Sequence, residues 1–118
     1  MRSGIDMIEV ERIDLAILRH GDRFFLRFFT DQELIDAAGS TPALAARFAA
    51  KEAVSKALGT GIGEVGWKEI EIVNGVRREP VLVLHGRARQ LAQEQGLRHW
   101  TVSLSHTHEH AIAVAVAS

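Results

Sequence analysis

Arg47-Phe48-Ala49-Ala50-Lys51-Glu52-Ala53-Val54-Ser55-Lys56-Ala57-Leu58-Gly59-Thr60-Gly61 is the stretch from which the rest of the chain is read. At about 100° per residue, a helix through it sorts its side chains onto two chemically different faces. Phe48, Lys51, Glu52, Ser55 and Lys56 share one face; Ala46, Ala49, Ala50, Ala53, Val54, Ala57 and Leu58 share the other. A face made mostly of alanine lets another backbone come very close. Glu52 stands four residues before Lys56, the favourable order for a helical ion pair, so the polar face predicts a solvated stripe steadied by one salt bridge. The exit, Gly59-Thr60-Gly61-Ile62-Gly63, caps the helix once and leaves a loop whose backbone can be approached closely.

Upstream, residues 3–9 predict a short strand carrying Ile5, Met7 and Ile8, with Asp6 in its middle. A carboxylate in that setting reaches solvent, accepts backbone N–H groups or binds a cation. Val10 to His20 predicts a helix, apolar at Val10, Ile13, Leu15, Ile17 and Leu18 and stopped by Gly21. Arg12 and Arg19, seven residues apart, share one side of it, and Arg23 and Arg27 follow. Residues 23–29 hold four of the five phenylalanines, a density that belongs to a core or a subunit contact. Thr30-Asp31-Gln32-Glu33 is a capping box opening a short helix that ends at Gly39, and Ser40-Thr41-Pro42 starts the central helix.

Downstream, Trp67 to Val73 alternates, with Ile70 and Ile72 inward and Glu69 and Glu71 outward, before a turn at Asn74-Gly75. A return strand spans Pro80–Leu84, a helix Gly86–Gln95, and a further strand Trp100–Ser105. Ala111 to Ala117 is apolar on both faces, so it is covered on both, within a sheet or against another subunit. The pattern is α+β: one domain, 1–118, with a mostly antiparallel sheet packed on the long central helix.

Composition narrows the function. No window approaches the ~20 apolar residues of a membrane span, and no signal-peptide pattern opens the chain, so a cytoplasmic location is expected. Cysteine is absent, which excludes disulfides and a thiol nucleophile. Lys plus Arg total 14 against 15 for Asp plus Glu, a balance that argues against nucleic acid; an acidic partner would be drawn by a local patch. By charge type the chemical candidates are Asp6, Arg47, Lys51, Glu52, Lys56 and His106. Two carboxylates from distant segments beside cations suit a hard divalent ion completed by phosphate, the habit of magnesium. His106, His108 and His110 alternate and could ligate zinc on a strand, but Thr107–His110 reads as a turn that scatters them.

Three stretches, in order, resemble the phosphopantetheinyl transferase family of holo-[acyl-carrier-protein] synthase. They are Arg47–Gly61, Gly4-Ile5-Asp6 with Glu9, Arg12 and Ile13, and Val102–Thr107 with Ala111, Ala113 and Val114. The resemblance implies transfer of phosphopantetheine from coenzyme A to a serine hydroxyl of an acyl carrier protein, releasing adenosine bisphosphate. It implies Asp6 and Glu52 as magnesium ligands and Lys56 as a catalytic and phosphate-neutralising cation. Arg47, His106 and Thr107 would contact coenzyme A phosphates, and the glycine loop would line the cleft. Glu52 would remove the serine proton, directly or through a water on the ion. Arg12, Arg19 and Arg23, extended by Arg27, would dock the acidic carrier, and the assembly would be a homotrimer with sites at subunit interfaces. Some relatives carry a further basic residue just before the central helix, where this chain reads Gly39-Ser40-Thr41-Pro42. Two rivals stand beside this reading: a non-catalytic oligomeric module that binds carrier or nucleotide, and a zinc hydrolase built on the histidines.

Overall fold

A computed structural model describes all residues, 1–118. Its elements run β1 (Arg2–Glu9), α1 (Val10–His20), α2 (Asp22–Phe28), α3 (Asp31–Ala37), α4 (Thr41–Leu58), a 3₁₀ turn (Trp67–Glu69), β2 (Ile70–Asn74), β3 (Pro80–Leu84), α5 (Gly86–Glu94), β4 (Trp100–His106) and β5 (His110–Ala117). The α+β expectation holds, and α4 is the axis. Ser40 Oγ accepts the Ala43 N–H at its start, Pro42 sits in its first turn, and Gly59 ends it at φ 82°.

An antiparallel sheet ordered β1-β5-β4 lies on the alanine face of α4. Ala49, Ala50, Ala53 and Ala57 are completely buried there, facing Ala111, Ala113, Ala115 and Ala117 of β5. Gly4 makes the approach closest: a Cβ on it would stand 1.9 Å from the Ala53 carbonyl oxygen. Arg2 Nε adds a bond to the Ala57 carbonyl, 3.0 Å, across the same seam. The doubly apolar strand thus divides its duties. Its alanines face α4, while Ile112, 39% exposed, lies on the outer face beside Ile5, 58%, and Met7, 63%.

The polar stripe of α4 departs from the expectation. Lys51 and Glu33 are fully buried as an ion pair, 2.8 Å. Lys51 Nζ also donates to the carbonyls of Trp67, 3.0 Å, and Ile70, 2.6 Å, so all three ammonium protons are placed. Glu33 closes the capping box with Thr30 and accepts the Ile72 N–H, 2.9 Å. One buried pair therefore joins α3, α4 and β2. Ser55 is buried too, donating to the Glu52 carbonyl, 2.7 Å.

Two local expectations shift. Trp67–Glu69 is a 3₁₀ turn and not strand, because the Glu69 carboxylate accepts N–H groups from Gly66 and Arg87 while Trp67 stacks on Phe48, centroids 4.5 Å apart. The hairpin turn falls after Asn74-Gly75. Asn74 is kept in β2 by Asp36 Oδ2, which accepts its N–H, and by Arg47, which donates to its Oδ1, each at 2.8 Å. Gly75 then pairs with Glu79, and its carbonyl accepts the Arg78 N–H, 3.0 Å.

Candidate active site

Within β1 the residues alternate, so Gly4, Asp6 and Ile8 share the face turned to α4. The close seam at Gly4 puts Asp6 beside the last turns of the helix. There Lys56 Nζ donates to Asp6 Oδ1, 3.1 Å, and to the Ile5 carbonyl, 2.9 Å. The expected Glu52–Lys56 pair is not formed; Lys56 reaches across to the strand instead. Glu52 is half-buried, with its carboxyl held above the ordinary carboxylate range, first by burial and then by the negative charge of Asp6, partly offset by Lys56. Two carboxylates that repel each other, one of them without a protein cation of its own, form an oxygen donor set for a hard divalent ion. Asp6 and Glu52 would supply two of its ligands and leave the rest to phosphate and water.

The other expected residues fall in two further places. Arg47, 6% exposed, is fastened by its Nε to the Ile72 carbonyl, 3.2 Å, by Nη1 to that of Ala43, 3.2 Å, and by Nη2 to Asn74. It lines a cavity of about 210 Å³ with Leu104 and His106, which stands exposed at the end of β4. Neither Asp6, Glu52 nor Lys56 borders that cavity. Thr107 Oγ1 accepts the N–H groups of Glu109, 3.2 Å, and His110, 3.1 Å, shaping the β4–β5 turn. His108 and His110 line one pocket with Glu9, Glu11 and Asp14 while His106 borders another, and no three His, Cys, Asp or Glu side chains are placed to hold a metal ion. The zinc reading fails.

Arg12, Arg19 and Arg23 are all exposed. Arg12 and Arg23, with Arg27 and His20, rim a cavity of about 400 Å³ floored by Phe24, Phe28 and Phe48; Arg19 lies outside it. Phe48 belongs to α4 one turn before Glu52, so the basic rim and the carboxylates are neighbours along one helix. Sequence reasoning missed Glu33 and Trp67, whose positions depend on partners far along the chain. Both were marked only by their own short-range signals, the capping box and an apparent strand.

The chain matches the model of the 4′-phosphopantetheinyl transferase superfamily over residues 2–115. It belongs to that superfamily. It is 47% identical over 121 residues to the holo-[acyl-carrier-protein] synthase of Herpetosiphon aurantiacus, covering 97% of this chain and 95% of the relative. To that of Moorella thermoacetica it is 50% identical over 119 residues, covering 98% and 92%. The crystal structure of the Helicobacter pylori holo-[acyl-carrier-protein] synthase in complex with coenzyme A is similar with a TM-score of 0.90 and 32% identity, covering 98% of this chain and 99% of that one.

Proposed function

We propose that this chain carries out the reaction of a holo-[acyl-carrier-protein] synthase, moving phosphopantetheine from coenzyme A to a serine of an apo acyl carrier protein. The observation that carries the site assignment is the convergence of Asp6, Glu52 and Lys56 at the β1–α4 seam. The serine oxygen attacks the phosphorus that bears pantetheine, the bond from that phosphorus to the bridging oxygen breaks, and adenosine 3′,5′-bisphosphate leaves. Catalysis of such a step rests on positioning and charge stabilisation. A magnesium ion held by Asp6 and Glu52 would neutralise the diphosphate when bound. Lys56 contributes a further positive charge, and Glu52 receives the serine proton, directly or through an intervening water. To the cosubstrate's phosphates we assign Arg47 and His106, which line one cavity, and Thr107 in the turn that follows; to the acidic carrier we assign the exposed Arg12, Arg19 and Arg23, of which Arg12 and Arg23 rim the phenylalanine-floored cavity.

The uncovered apolar outer face at Ile5, Met7 and Ile112 supports an interface with another subunit, which in this reading is that of a homotrimer. The separation of the carboxylates from the Arg47–His106 cavity within one chain supports a cleft completed between subunits. No helix is long and apolar enough to cross a membrane. Intact mass of an apo carrier protein incubated with this chain, coenzyme A and magnesium tests the reading. A gain of one phosphopantetheine per carrier is expected. Coenzyme A binding with no change in carrier mass would overturn transfer in favour of a binding module.

A further inference from the structure

The β2–β3 hairpin closes through a turn whose last residue, Arg78, has a left-handed backbone, φ 62°. Its N–H bonds the Gly75 carbonyl, 3.0 Å, and Gly75 N–H bonds the Glu79 carbonyl, 2.7 Å. This is a three-residue hairpin loop with a bulge at its left-handed position, a place that glycine fills without strain. An arginine is held there instead, and it borders the cavity of about 210 Å³ that Arg47 and His106 line.

The cavity is one-sidedly positive. No carboxylate lines it. Two acids adjoining its lining residues are engaged with backbone: Glu79 Oε2 accepts the Arg77 N–H, 2.8 Å, and Asp36 Oδ2 accepts that of Asn74. Arg47 has three of its five N–H donors on protein acceptors, which fixes its plane and leaves two to offer. The Arg78 guanidinium makes no hydrogen bond or ion pair with the protein; only its backbone N–H is bonded. Pro80, Leu104 and Ala43 supply an apolar wall. Two arginines and a histidine lining so small a space fit a phosphomonoester dianion, which the guanidinium and imidazole groups can reach.

We infer that Arg78 is a specificity-determining residue that anchors the ribose phosphomonoester of the cosubstrate beside Arg47 and His106. The inference rests on the proposed coenzyme A chemistry. Coenzyme A carries one phosphomonoester and one diphosphate, and the diphosphate belongs with Asp6 and Glu52, which lie outside this cavity. Arg78 therefore distinguishes coenzyme A from its analogue lacking that phosphate.

Calorimetric titration of the full protein and of Arg78→Gly with adenosine 3′,5′-bisphosphate and with adenosine 5′-monophosphate tests this without requiring turnover. Glycine suits the left-handed turn, so Arg78→Gly should melt no lower than the parent. The parent should prefer the bisphosphate, and the variant should lose about 10-fold of that preference, the worth of one charge-assisted hydrogen bond. An equal preference in both proteins, equal weakening for both nucleotides, or no preference in the parent would overturn it. Carrier modification is scored separately. Absent transfer with the Arg78-dependent preference intact defeats the enzymatic reading alone, and transfer with an unchanged preference defeats the Arg78 assignment alone.

Discussion

Glu52 is a carboxylate kept where its charge is disfavoured, half-buried and facing Asp6, and a cofactor ion is the natural compensation. Its folded-state proton affinity is raised above the ordinary value of about 4.3. Between those two values the folded state binds more protons than the unfolded one, so metal-free stability falls as pH rises through the window. Glu52→Gln should remove that fall, and the metal-free variant should melt no lower than the parent at neutral pH while transfer drops about 100-fold or more. Melting temperature against pH, measured in chelator, checks the first half; a lower neutral-pH melting temperature for the variant contradicts it. Lys51, the residue before it, is the opposite case. Its partner Glu33 is equally buried, so Lys51→Met strands a carboxylate and should cost about 3–5 kcal/mol in a urea titration. A loss below about 1 kcal/mol would mean that the pair is dispensable.

At the scale of elements, the seam between β1 and α4 does most to make the site. Gly4→Ala places a methyl group against the Ala53 carbonyl, backbone against backbone, so the strand must lift from the helix. We expect a loss of about 3 kcal/mol or more, together with most of the transfer activity, because Asp6 rides on the same strand. Wild-type rates in a Gly4→Ala protein would show that the spacing does not matter. Much of this level was legible in the sequence. The Thr30 capping box, the Ser40-Pro42 start, α1 at Val10–His20 and the alanine face of α4 all carry short-range signals that the fold respects. The failures share a cause. Trp67 leaves the strand because Glu69 bonds Arg87, the turn moves past Gly75 because Asn74 is held by Arg47 and Asp36, and Lys51 is buried because Glu33 lies beneath it. In each case a distant partner overrides a local pattern, and periodicity carries no information about such partners. The convergence of Asp6 and Glu52 was legible only through family resemblance, since they stand 46 positions apart.

Across the whole molecule, one chain presents the carboxylates and the Arg47–His106 cavity as separate features, and its outer sheet face is apolar and uncovered. In a trimer with shared clefts, an inactive Glu52→Gln protein and an inactive His106→Ala protein, unfolded together and refolded, should regain a measurable share of transfer. No recovery on mixing, with trimers demonstrably formed, would put each site within one subunit. The central proposal is a divalent ion bound by Asp6 and Glu52. Magnesium binding in the presence of coenzyme A, measured by calorimetry on the parent, Asp6→Asn and Glu52→Gln, addresses it most directly. One ion per site in the parent and at least about 10-fold weaker binding in each variant is predicted; parent-like magnesium affinity in both variants would contradict it.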